Sequence, residues 1–264
     1  MATTASPAAA PAIHTGWALP SQHGHHRLTG RCSGDPHRLG SVPLFDPSVI
    51  ITEEPVVPAG PTAASCLTSD GHDVRVSPRL ADPPSASFVE MRTDADLHPL
   101  CTPTVVAADG YLLLILASFA DSSTHEHNFF VYKPHPPSLR LLPHPDVYTG
   151  IVTSRPNVES EEEEEQEFVA AAFHTELTGA WGDDEGSRDE VGKLMRFSSS
   201  TGKCEVLNLS IPFDPTKGLY KYTWRTDKVV PFGGHMCFVD YHRGILLCDV
   251  FAGGSLELRF VPVV

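Results

Sequence analysis

None of the short patterns that announce common enzyme chemistry occurs in the 264 residues. There is no GxSxG elbow, Walker loop, HExxH helix or Rossmann glycine fingerprint. The six cysteines (Cys32, Cys66, Cys101, Cys204, Cys237 and Cys248) include no CxxC pair. With no secretory signal either, they read as reduced thiols of an intracellular protein. Positive charge is scarce: 19 Lys and Arg stand against 33 Asp and Glu, a net charge of −14. Seven glutamates between Glu159 and Glu167 carry half of that excess. Neither the run nor the remainder suits nucleic acid or an anionic membrane, both of which attract basic patches. The longest apolar run, residues 111–120, falls far short of the ~20 residues that span a bilayer. The start of the chain is rich in Ala, Ser and Thr, as in an organelle transit peptide. Its only positive charges ahead of Asp35 are Arg27 and Arg31, so targeting is not expected and the cytosol or nucleus is.

What the chain does have is turns. Its 24 prolines and 20 glycines suit many short strands better than long helices. Residues 1–40 are rich in Ala, Pro, Gly and His and offer little apolar surface to offset the entropy of ordering, so a disordered tail is expected. Its five histidines (His14, His23, His25, His26 and His37) read as solvated tail residues rather than metal ligands. Residues 41–65 read as a Pro-rich linker with a short strand near 48–52. Residues 66–264 read as one β-rich domain in which the acidic run 159–167 is a solvated loop joining two units.

Inside that domain the pattern becomes regular. Asp109-Gly110 introduces a strongly apolar strand at 111–119, followed by strands at 128–132 and 139–142. A second unit runs through 168–174, 192–197 and 203–209. A third runs through 228–230, 236–239, 245–251 and 256–261. Three consecutive antiparallel meanders of about 35–50 residues fit propeller blades, with the strands of 74–91 as a fourth. The predicted fold is therefore all-β and propeller-like, either closed through its N-terminal strands or left open or incomplete.

The stretch HMCFVDYHRGILLCDVF at 235–251 organises the rest. Two apolar runs flank the turn group Asp240-Tyr241-His242-Arg243-Gly244, the signature of a hairpin. Neither run alternates cleanly, so both faces are expected to be buried. A two-residue loop, His242-Arg243, would pair Cys237 with Cys248; a three-residue bulged loop would set Cys248 against Phe238. In both cases the two cysteines read as small buried hydrophobes rather than a redox pair.

Four segments together resemble a plant family of unknown function that is much expanded in cereals: TSDGHDVRVSPRLADPPSASF (68–88), DGYLLLILAS (109–118), FFVYKP (129–134) and the 235–251 stretch. The match runs from about Cys66 to the C-terminus. FFVYKP is shared with the β-propeller domains that follow F-boxes in plant ubiquitin-ligase adaptors. The resemblance implies a β-rich, propeller-like fold, with Asp240, Arg243 and Gly244 in the family motif, and no established chemistry. Relatives often continue past the residues matching Arg259-Phe260-Val261. No helical F-box precedes residue 66, so the adaptor role does not carry over.

Asp240, His242 and Asp249 are expected around one turn, where they would suit a general base or a metal site, although Asp240 and Arg243 more simply cap and pair across it. Trp181 and Trp224 sit in loop-like contexts and would be partner anchors if exposed on one rim. The leading expectation is a non-catalytic protein-interaction or scaffold module, with an unidentified protein partner and no cofactor. The alternatives are an enzyme or metal-binding protein with its site at the 240–249 hairpin, and a truncated, non-functional family member.

Overall fold

The computed structural model describes residues 45–51, 61–81, 85–98, 101–120, 127–143, 150–154, 166–178 and 189–263. The expected N-terminal tail and nearly all of the glutamate run lie outside them. The described chain is all-β, in sixteen strands and a single 3-10 turn, Pro215–Lys217.

Strands β1 (Phe45–Ile51), β2 (Ala64–Leu67), β3 (Asp73–Arg79) and β4 (Ser87–Thr93) form one four-stranded unit. Strands β5 (Thr104–Asp109), β6 (Leu112–Ser118), β7 (His127–Pro134) and β8 (Pro137–Leu141) form the next. The two join through β1, giving an eight-stranded sheet of order β2-β3-β4-β1-β5-β6-β7-β8. Its β1–β4 pairing is parallel; the others are antiparallel. The sheet curls into a nearly closed barrel, with β2 lying beside β8. The buried Tyr132 hydroxyl donates to the Thr62 carbonyl at 2.6 Å near this closure. A second sheet contains β9 (Gly150–Thr153), β10 (Phe168–Thr178), β11 (Asp189–Ser198) and β12 (Lys203–Leu209), in order β12-β11-β10-β9. A third contains β13 (Lys228–Phe232), β14 (His235–Asp240), β15 (Gly244–Cys248) and β16 (Leu258–Pro262), in chain order. Four consecutive four-stranded units thus match the propeller-like reading.

The sheets are held by three apolar layers, and strand periodicity explains how one strand serves two of them. Side chains of a strand point alternately to its two faces. From β6, Leu113 and Ile115 enter the barrel interior with Val76, Met91, Phe130 and Tyr132. Leu112 and Leu114, from the same strand, face the second sheet and meet Ile151, Ala170 and Phe197. A strand covered on both sides cannot alternate apolar with polar, which is why 111–117 reads as one unbroken apolar run. From β10, Ala170 faces the first sheet while Val169, Ala171 and Phe173 face the third. There Phe173 stacks on Phe238 with ring centroids 5.0 Å apart, beside Met236, Leu246 and Cys248. Gly150 is required where β9 meets β13: a Cβ there would lie 2.3 Å from Val229 Cγ1.

Polar ties cross the same layers. Asp109, at the β5–β6 turn, accepts hydrogen bonds from the Thr153 amide and hydroxyl, both at 2.7 Å. Arg196 donates to the Val250 carbonyl at 2.7 Å and pairs with Glu205.

Two expectations for the 235–251 hairpin change. Strand β15 ends at Cys248 instead of continuing to residue 251, and it is buried on one face and half-buried on the other. The cause is its place in the last sheet, where among the described residues one face packs on the second sheet.

Candidate interaction surface

The turn between β14 and β15 has a register that neither expected loop gives. Asp240 pairs with Gly244, leaving Tyr241, His242 and Arg243 as the loop, and Cys248 lies opposite Met236. Cys237 lies opposite Leu247, so the two cysteines point to opposite faces of the sheet. Both are buried; burial pushes the Cys248 thiol up to about 11 and raises Cys237 as well. They are buried free thiols, Cys248 in the layer shared with the second sheet and Cys237 on the opposite face, with no geometry for a mutual bond.

Asp240 decides this register. Its side chain is 1% exposed and accepts four hydrogen bonds. One oxygen takes the backbone amides of His242 (2.9 Å) and Arg243 (3.1 Å); the other takes the Arg225 amide (3.1 Å) and the Arg243 guanidinium (2.9 Å). Burial alone would raise its pKa. The His242 and Arg225 amides and the Arg243 guanidinium outweigh that, holding the carboxyl below its ordinary value. Gly244 follows at φ +146°, and a Cβ there would lie 2.2 Å from the Val261 carbonyl oxygen. Only glycine fits the backbone and the space together.

The expected cluster of Asp240, His242 and Asp249 does not form. Asp240 stands at the turn, whereas Asp249 follows the far end of β15, roughly 16 Å away at about 3.3 Å per strand residue. Asp249 accepts from the Phe251 amide. Every hydrogen-bonding site in use on Asp240 serves a turn or loop donor, leaving nothing for general-base work. Among the described residues no three His, Cys, Asp or Glu side chains are grouped to hold a metal ion.

The amide that Asp240 draws from Arg225 fastens a second loop to the hairpin tip. This connection leaves β12, makes the 3-10 turn capped by Asp214, buries Leu219 and Trp224, and enters β13. Trp224 is therefore a buried wedge, not an exposed anchor. It packs edge-on against Phe260, and its indole donates to Thr226 Oγ1 at 3.1 Å. A loop position says little about exposure when the loop crosses an apolar layer. Trp181 lies outside the described residues.

With Trp224 turned inward, other aromatics point out. Tyr220, Tyr222 and, from the hairpin tip, Tyr241 are each more than half exposed. The Tyr241 amide donates to Asp227 at 3.0 Å, and the Asp227 amide donates to the Val239 carbonyl at 2.8 Å. Tyr222 has a left-handed backbone, φ 62°, uncommon for a residue with a side chain. Its amide is held by the buried Glu190 carboxylate. Arg225, largely exposed, follows Tyr222 by three residues and leans on Asp227 at 3.6 Å. The sequence signal was the segment Leu219-Tyr220-Lys221-Tyr222-Thr223-Trp224, in which aromatics recur outside any strand pattern.

No helix among the described residues is long and apolar enough to cross a membrane. Comparison of the chain with protein-family models, with curated proteins and with solved structures gives no match.

Proposed function

We propose that this chain is a non-catalytic protein-interaction module, acting in the cytosol or nucleus of a plant cell and binding a protein partner through the tyrosine rim. The observation that carries the reading is the set Tyr220, Tyr222, Tyr241 and Arg225, exposed on two loops that a buried carboxylate ties together. Tyr and Arg are, with Trp, the residues enriched where binding energy concentrates. A tyrosine supplies much contact area for little lost entropy, and less still when its backbone is already fixed. The left-handed Tyr222 backbone points the same way, since such strain gathers at working sites. The resemblance of residues 68–88, 109–118, 129–134 and 235–251 to a plant family supports the setting.

The test compares immobilised wild-type chain with the triple variant Tyr220→Ser, Tyr222→Ser, Tyr241→Ser in plant extract, with retained proteins quantified by mass spectrometry. The expected result is a defined set held by wild type and reduced at least about tenfold by the variant, at unchanged melting temperature. Identical retention by the two would refute the rim.

A further inference from the structure

Where the first and second sheets meet, a cavity of about 330 Å³ opens beside their shared apolar layer, and Leu112, Val131 and Phe168 of that layer line it. Polar side chains reach it from both sheets. On β7 and β8 the register pairs Val131 with Arg140 and Lys133 with Ser138. Paired residues share a face and strands alternate, so Lys133, Ser138 and Arg140 all stand on the side of Val131, which faces the second sheet. Lys133 and Arg140 are diagonal neighbours there, with Cα atoms about 7–8 Å apart. Each cation rests on an aromatic ring. Lys133 Nζ lies 5.6 Å from the ring centre of Tyr111, and the Arg140 guanidinium lies 5.0 Å from that of Phe197. A Cβ on Gly202 would lie 3.6 Å from Arg140 Nη2, which puts the guanidinium beside the β11–β12 turn. From that turn Ser199 lines the same cavity. Its Oγ accepts from the Phe168 amide at 2.8 Å, and its own proton remains to donate.

The site is rich in donors and poor in acceptors. Among the described residues the Arg140 and Ser138 side chains make no ion pair or hydrogen bond. The carboxylate on the lining, Glu167, pairs with neither cation. The Glu167 carbonyl takes the Ser154 amide at 2.8 Å and so extends the β9–β10 ladder. Alternation then sends its side chain to the side of Val169, opposite to that of Phe168. An anion between two cations this close relieves their mutual repulsion. A phosphate monoester suits the place: it carries close to two negative charges near neutral pH and offers three strong acceptor oxygens to cations and hydroxyls on different sides. A volume at the lower end of ligand pockets fits a small molecule rather than a segment of a macromolecule. We infer that this cavity binds a small phosphate monoester, its phosphoryl oxygens held by Arg140, Lys133, Ser138 and Ser199. The site uses none of the residues of the tyrosine rim and does not depend on it.

The test titrates the full chain by calorimetry with glucose 6-phosphate, inorganic phosphate and glucose. Saturable binding of glucose 6-phosphate with a Kd below about 1 mM, weaker binding of inorganic phosphate and none of glucose are expected. Arg140→Gln and Lys133→Gln should each weaken both phosphates about tenfold or more, at an unchanged melting temperature of the free chain. Ser138→Ala, at an exposed position, should weaken them roughly threefold. No binding of either phosphate at about 10 mM, an affinity indifferent to Arg140→Gln, or equal binding of glucose would each overturn the inference. So would binding that appears only when the glutamates at 161–165 are replaced by Gln, since the chain's own carboxylates would then be the anions that the cations serve.

Discussion

Replacing Asp240 by Ala should destabilise the chain more than its place in a surface hairpin suggests. The substitution orphans the amides of Arg225 and His242 and the guanidinium of Arg243. The Arg243 amide keeps a fallback, because it also donates to the Asp240 backbone carbonyl at 3.2 Å. Hydrogen bonds to a charged group contribute about 1.5–3 kcal/mol each, but His242 is exposed and Arg243 half-buried, so water recovers part of the loss. Removing one partner of a buried ion pair costs about 3–5 kcal/mol. The expected cost for Asp240→Ala is about 3–4 kcal/mol, and for Asp240→Asn, which keeps one acceptor, about 1–2 kcal/mol. In urea, with a slope of about 2 kcal/mol/M, the alanine variant should unfold roughly 1.5–2 M earlier. The sign with pH follows from the lowered carboxyl. Its contribution is complete above the unfolded value of about 3.9 and is lost as pH falls below that, through the folded value. The gap between wild type and Asp240→Asn should stay constant from about pH 8 to about pH 5 and close below about pH 4. A midpoint shift under about 0.5 M for Asp240→Ala would refute the clamp, as would a gap that widens in acid.

Gly244→Ala meets both a glycine-only backbone and the Val261 carbonyl, so it should cost about 3 kcal/mol and lower the melting temperature by roughly 10 °C. A thiol reagent at pH 8 should modify half-buried Cys101 and Cys204 well before Cys237 and Cys248; immediate reaction of the last two would contradict their burial.

Much of the architecture is legible in the residues because turns and apolar runs are local. Asp109-Gly110 and Thr201-Gly202 mark hairpins that form, and Gly233-Gly234 makes a two-residue turn with φ of 58° and 79° between Phe232 and His235. Strands β5 and β9 escape that reading. The first is short and alanine-containing; the second is four residues long and becomes a strand only by lining up on β10. The parallel pairing of β1 with β4 joins distant segments and leaves no local trace. The hairpin register is not legible in the sequence, because loop length does not settle it. A buried carboxylate capping two loop amides and a neighbouring loop does, and that is a tertiary fact. The neighbouring loop is no more legible: Trp224, loop-like in sequence, is buried, while Tyr220 and Tyr222 of that loop and Tyr241 of the hairpin tip carry the exposed surface.

The central claim is that the rim is fixed before any partner arrives. Amide hydrogen exchange of the free chain tests it at Tyr222, Arg225, Tyr241 and His242, whose amides are held by Glu190, Asp240, Asp227 and Asp240 respectively. These four should exchange far more slowly than unstructured peptide, and the Arg225 and His242 amides should lose that protection in Asp240→Ala. Exchange at the unprotected rate in the wild-type chain would contradict the account.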